Sequence, residues 1–240
     1  MRFSYSRVTT YNQCPRKFKY RYLDGLETIP DLSPSNALIL GTAMHKGIET
    51  TVEEGVQTYL NSFYVVTDEI INWSLQLEYW IPKVKALLPS RGAHEIELAT
   101  EDFIGYADYV TRNTIWDFKF SNNVEAYLKS HQLSIYKHYL ELLSPNKQIK
   151  HLKYVFIPKV AIRQKRGETI QQFRERLFAE MESREIQIVE VPFDETSILY
   201  FDERRKAIED DTEWTAIPSR LCDWCEYQRY CENGEDWMIL

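Results

Sequence analysis

Cysteine is scarce in this chain and unevenly placed. Four occur in 240 residues, too few for a disulfide scaffold. Cys14 lies near the start, in YNQCPRKFKYRY; Cys222, Cys225 and Cys231 fall together in LCDWCEYQRYC, and none lies between. Long apolar runs are missing as well. No stretch approaches the roughly 18–20 residues of a membrane helix, so no membrane partner is expected. The opening MRFSYSRVTT has no apolar signal segment, which makes a cytoplasmic location the expectation. No internal repeat or low-complexity linker breaks the chain, and no Gly-Lys-Ser/Thr occurs, which argues against an ATP-driven motor. Acids are absent from residues 1–23, which carry Arg2, Arg7, Arg16, Lys17, Lys19 and Arg21. A second basic stretch covers 151–176, while the acids gather between Glu49 and Asp102 and after Glu180. A net charge of −7 argues against a protein that simply coats nucleic acid. Segregated charge still permits a local grip on phosphate, or a plain solvated face.

Hydrophobic periodicity orders the rest. Ser6 is the expected cap of a first helix, and CPRKFKYRYLDGL reads as a second, entered at Pro15 and stopped at Gly25. Residues 28–36 read as loop, NALILGTAMHKGIETTVEEG as one helix, and residues 57–90 as largely helical. The period then changes to that of strands over HEIELATEDFIGYADYV and TIWDFKF. VEAYLKSHQLSIYKHYLELL is one amphipathic helix. HLKYVFIP is a strand, followed by helix, strand and helix to residue 210, then loop into the cysteines. The expected fold is α/β, a short mixed sheet flanked by helices.

The segment with the most chemistry is GYADYVTRNTIWDFKF. With Arg112-Asn113 as a two-residue turn, Asn tolerating the left-handed backbone, Thr111 pairs with Thr114 and Asp108 with Asp117. Opposed residues share a face with Cβ atoms about 4.5–5.5 Å apart, and Lys119, two residues on, joins them. Two carboxylates so close repel unless a divalent cation sits between them, and oxygen ligands suit Mg²⁺ or Mn²⁺. A lysine beside such a metal is placed to position water or to stabilise charge on phosphate. Asp-x-Lys alone is common, and on an exposed strand the set is an ordinary cross-strand pair; the apolar flanks Ile115, Trp116 and Phe118 favour the site. Gln132 and Tyr136 lie one turn apart on the next helix. His45 also lies on a helix, where a lone histidine is more often structural than a ligand.

Cys222, Cys225 and Cys231 form a three-ligand cluster that lacks a fourth thiolate, and Cys14 is the remaining cysteine. If it completes the site, metal staples the chain's two ends together. Spacing alone leaves zinc and a 4Fe–4S cluster both open.

Together these motifs resemble the PD-(D/E)XK nuclease superfamily, in particular its RecB-like branch with an iron–sulfur cluster, which includes CRISPR-associated exonucleases, the AddB nuclease domain and phage-encoded nucleases. SYSRVTTYNQCPRKFKYRY, GTAMHKGIE, GYADYV, WDFKF, QLSIY and the three late cysteines match its motifs in order. The acid of the (D/E)-x-K element is Asp where Glu is common.

The resemblance implies a restriction-endonuclease-like core. It implies His45, Asp108, Asp117 and the Phe118 carbonyl as ligands of Mg²⁺ or Mn²⁺, and Asp108, Asp117 and Lys119 as catalytic. Cys14, Cys222, Cys225 and Cys231 would hold a 4Fe–4S cluster, and Gln132 and Tyr136 would orient DNA, with the basic Arg16 and Lys17 as further contacts. The expected layout is a single domain over 1–240, with a catalytic α/β core at 91–210 and an iron–sulfur lobe made of 1–27 and 211–240. The expected activity is metal-dependent DNA hydrolysis, as a single-strand exonuclease in recombination, repair or phage DNA processing. Two alternatives stand beside it: a CRISPR adaptation nuclease trimming captured DNA with an integrase partner, and a non-catalytic nucleic-acid-binding module with a four-cysteine zinc site.

Overall fold

The computed structural model describes residues 1–234; the final six residues of the expected 211–240 segment lie outside the described residues. The chain clusters into two compact units, one built from Met1–Asp31, Ala99–Gly105 and Asp194–Leu240, the other from Leu32–Leu98 and Tyr106–Phe193.

In the first unit, helix α1 (Tyr5–Gln13) is capped by Ser4, whose side chain accepts the Arg7 N–H. Ser4 takes the cap rather than the expected Ser6 because its backbone is extended, as a cap position requires. Helix α2 (Pro15–Phe18) starts at Pro15 and runs into a wider turn over Lys19–Leu23, and Gly25 follows with φ +65°. Phe18 is fully buried and stacks on Trp214 at 5.8 Å, with Tyr11 edge-on to both.

The second unit begins with helices α3 (Ala37–Glu49), α4 (Val52–Leu60) and α5 (Asp68–Leu87). The single helix expected over 36–55 is broken. Thr50 leaves helical geometry and bonds back to the Lys46 carbonyl, while Thr51 caps α4 through the Glu54 N–H. Two consecutive threonines offer the backbone partners that compete with a continuous helix, and Glu53 and Glu54 in the first turn suit the new N-terminus. The break folds α4 back on α3 at Gly47 and Gly55. A Cβ on Gly55 would stand 2.7 Å from the Gly47 Cα and 2.9 Å from the Ala43 carbonyl oxygen. Gly55→Ala is therefore expected to push the helices apart, to cost about 1–3 kcal/mol, and to lower the melting temperature by several degrees in a thermal melt. An unchanged melt would show that α3 and α4 are not packed this closely.

A mixed five-stranded sheet follows, with spatial order β1 (Ala93–Ala99), β2 (Ile104–Val110), β3 (Thr114–Phe120), β4 (His151–Ile157) and β5 (Gln187–Val191). β2 and β3 are antiparallel, β3 and β4 parallel, β4 and β5 antiparallel. The parallel pair needs a crossover, supplied by α6 (Val124–Leu128) and α7 (Gln132–Leu143). These were expected as one helix. The chain leaves the helix at Lys129, and the Ser130 hydroxyl accepts the Gln132 N–H to start the next. Helix α8 (Ile170–Glu182) joins β4 to β5.

One side of the sheet, with Tyr109, Trp116, Phe118, Phe120, Val155 and Ile157, packs into a core with Met44, Leu77, Trp80, Leu177 and their neighbours from α3, α5 and α8. Strand alternation puts Asp108, Asp117 and Lys119 on the opposite side, which α7 approaches. After β5, helix α9 (Thr196–Asp210), a 3₁₀ turn over Arg220–Trp224 and helix α10 (Gln228–Asn233) return the chain to the first unit. No helix among the described residues is long and apolar enough to cross a membrane.

Candidate active site

Tyr109 pairs with Trp116 and Val110 with Ile115, the register expected from a two-residue turn, and the same register sets Asp108 opposite Asp117. The turn achieves this differently from the expectation. Neither Arg112 nor Asn113 takes a positive φ; the Asn113 carbonyl accepts the N–H groups of Lys150 and His151, so the start of β4 holds the turn.

The side chains meet within the second unit. An Asp108 carboxylate oxygen accepts the Phe118 N–H at 2.7 Å, and the other lies 3.5 Å from His45 Nδ1. His45 Nε2 is 3.0 Å from the Phe118 carbonyl oxygen. Asp117 is 1% exposed, and its Oδ2 is 2.6 Å from the Lys119 ammonium. That ammonium donates to Gln132 Oε1 at 3.3 Å, and the Gln132 amide donates to the Tyr136 hydroxyl at 3.1 Å. The Tyr127 ring lies 5.2 Å from the ammonium, within cation–π reach; the interruption between α6 and α7 allows the short helix its own direction. Gln132 and Tyr136 thus turn toward Lys119, and Tyr136 is 8% exposed.

Electrostatics follow from crowding charge on a buried strand pair. Burial pushes the Asp117 carboxyl up; Lys119 pulls it down, Asp108 pushes it up again, and the outcome is about 6. Burial also opposes charge on Asp108, but His45, Lys119 and the Phe118 N–H hold it below the ordinary carboxylate value. Burial would lower His45; the Asp108 carboxylate outweighs it and takes the imidazole up to about 9. Lys119 is likewise raised despite burial, by Asp117 and then Asp108.

A residue the sequence reading missed stands in the same place. His45, Asp108 and Glu95 of β1 bring one ligand atom each to within 4.8 Å of one another. Glu95 has φ +50°, uncommon for a residue with a side chain. Strand alternation treats Glu95 and Glu97 alike, so sequence offered no reason to single it out. One imidazole, three carboxylates and an available carbonyl form an oxygen-rich set that fits a hard divalent cation. Asp117 falls outside the tightest trio and is engaged by Lys119 instead.

A family model of the PD-(D/E)XK nuclease superfamily matches residues 2–232. The chain belongs to this superfamily. Among solved structures, one described as "putative exonuclease" from Eubacterium rectale is similar to it with a TM-score of 0.59 over 98% of this chain and 93% of that one. The identity is 12%, so the likeness concerns the fold. A structure named SSO0001 aligns over 95% of this chain and 85% of its own, at 15% identity and a TM-score of 0.42. No curated protein matches the sequence. Asp117-Phe118-Lys119 has the spacing of a (D/E)-x-K element.

The cysteines and the basic N-terminal residues lie in the first unit. Cys14, Cys222, Cys225 and Cys231 line one cavity of about 270 Å³ together with Arg16 and Lys17. Lys17 is 2.8 Å from Glu226, and Ser219 N–H points to the Cys222 sulfur at 3.4 Å.

Proposed function

We propose that this PD-(D/E)XK nuclease is a metal-dependent deoxyribonuclease that digests DNA from single-stranded ends, in recombination, repair or phage DNA processing. The observation carrying the reading is the opposed Asp108–Asp117 pair, Asp117 buried, with Lys119 2.6 Å from Asp117 and His45 3.5 Å from Asp108. His45, Asp108 and Glu95, whose ligand atoms lie together, would hold Mg²⁺ or Mn²⁺ with Asp117 and the Phe118 carbonyl as the remaining ligands. When bound, such an ion polarises the phosphoryl group and acidifies water at neutral pH.

The chain's own groups supply the rest. Asp108 is fixed by the Phe118 N–H, so its second oxygen keeps a constant direction. Lys119 is held by Asp117 on one side and Gln132 on the other, which keeps its ammonium in place to orient an attacking water and to offset charge growing on the phosphate. Gln132 and Tyr136 act through Lys119 as well as facing the DNA. Arg16 and Lys17, beside the cysteines, are proposed as further DNA contacts.

We assign the four cysteines to a 4Fe–4S cluster with a structural role. All four cysteines line one cavity, and a motif order resembling that of cluster-bearing relatives supports a cluster over a single zinc.

The test of the nuclease reading uses protein purified without oxygen and DNA labelled at one end. With Mn²⁺, single strands should be shortened progressively, the label reporting polarity, and EDTA should stop the reaction. Inert, folded, cluster-loaded protein would remove the enzyme reading in favour of a binding module.

A further inference from the structure

The connection from β4 to α8, residues 158–169, is long for an α/β connection, which usually takes about 2–6 residues. It leaves the carboxyl end of β4, beside the end of β3 that carries Asp117 and Lys119, the side of a parallel strand pair where ligands bind. It holds Lys159, Arg163, Lys165 and Arg166 against one acid, Glu168.

That acid is already engaged. Glu168 takes two bonds from Arg176 at 2.8 Å and the Lys165 N–H at 2.8 Å. The Arg176 hydrogen bond, then the Lys165 N–H, holds its carboxyl far below the ordinary range, at about 2. Among the described residues, none of the four cations has a carboxylate at ion-pair distance. The Lys159 ammonium instead lies over the rings of Phe120 and Trp73.

The backbone of this connection is fixed by its neighbours. Asn122, three residues beyond Lys119, bonds both the N–H and the carbonyl of Lys159 at 2.9 Å. Gln76, 2% exposed, does the same for Val160. Arg184 donates to the Lys159 carbonyl and Arg176 to that of Arg163. Side chains from α5, α8 and the end of β3 are thus spent on holding the main chain, while the charged side chains Arg163, Lys165 and Arg166 remain exposed. A fixed backbone presenting unpaired cations at the carboxyl end of the strand pair whose β3 member carries Asp117 and Lys119 is complementary to one class of ligand, a nucleic-acid backbone.

We infer that the Lys159–Arg166 connection is a phosphate track that holds the substrate strand leading into the site; this rests on the nuclease reading above. The test is fluorescence anisotropy of a labelled oligothymidylate of about 30 nucleotides, titrated with salt in EDTA so that cleavage cannot intervene. The variant is Arg163→Ala with Lys165→Ala and Arg166→Ala, all exposed positions. Its control, Arg112→Ala with Lys147→Ala and Lys150→Ala, removes the same charge around a cavity at the other end of β3 and β4. Each lost phosphate contact should flatten the slope of log affinity against log salt by about 0.7. The track variant should therefore lose about 2 from the slope and more than tenfold in affinity at moderate salt, and the control much less. An unchanged slope, or an equal loss in the control, overturns the track while wild-type cleavage keeps the nuclease reading. Wild type that neither binds nor cleaves the strand overturns both.

Discussion

Asp117→Asn is expected to reduce single-turnover cleavage by about a thousandfold and, in EDTA at neutral pH, to melt a few degrees above wild type. The two effects have one origin. Asparagine preserves the shape of the side chain and leaves an amide oxygen toward Lys119, but it removes the charge of a buried carboxylate that shares its sheet face with a second one, Asp108. Asp117 has its folded pKa raised from 3.8 to about 6. An acid raised in this way favours its neutral form in the fold. Its contribution to stability is therefore lost as pH rises from 3.8 through about 6, and above that the ionised carboxylate is a net cost. A neutral residue avoids the cost, so the gain over wild type should fade in melts run below pH 3.8.

Mn²⁺ should reverse the order. An ion bound only to the folded protein raises stability with its concentration, and wild type keeps the carboxylate that would hold it. Wild type should gain in melting temperature and the variant should gain little. Equal gains would place the metal away from Asp117, and unimpaired cleavage would remove Asp117 from the chemistry. Stability given up at a site for function is the general pattern this would illustrate.

How much of this was legible in the chain depends on which force decides each feature. The β2–β3 register was readable because strand period and turn length are both local, and a slip of one residue would have buried the wrong side chains. The turn's own geometry was not, since Asn113 is held by N–H groups from residues 150 and 151, far off in sequence. The breaks at Thr50 and Lys129 were hidden under an apolar period that continues across them; the Thr51 cap and the Ser130 hydroxyl's bond to the Gln132 N–H outweigh it locally. His45 entered only through family resemblance, because a lone histidine on a helix carries no sign of what it will face. Glu95 had no local mark at all; its proximity to His45 and Asp108 arises from packing of α3 on the sheet.

Cys14→Ser is expected to abolish the brown colour and the bound iron of anaerobically purified protein and to lower its melting temperature sharply. A cluster joining Cys14 to Cys222 closes a loop of roughly 200 residues, and the chain-entropy estimate for a cross-link of that span is on the order of 5 kcal/mol. Besides that cross-link, ring contacts of Phe18 with Trp214 and of Tyr20 with Tyr227 and Tyr230 join the two ends. α2 is a single turn leading from Cys14 to Phe18, and the surrounding polar contacts include the Lys17–Glu226 pair and a bond from the Tyr227 hydroxyl to the Leu26 carbonyl at 3.1 Å. An ion pair of that exposure contributes about 0–1 kcal/mol. Metal ligation is therefore expected to be the largest single contribution to joining the two chain ends. Wild type stripped of its cluster should melt where Cys14→Ser melts, because both lose the same cross-link and little else. Two results would sink this: a colourless wild type containing zinc would assign the cysteines to a single-ion site, and retained colour in Cys14→Ser would show that the cluster takes its fourth ligand elsewhere.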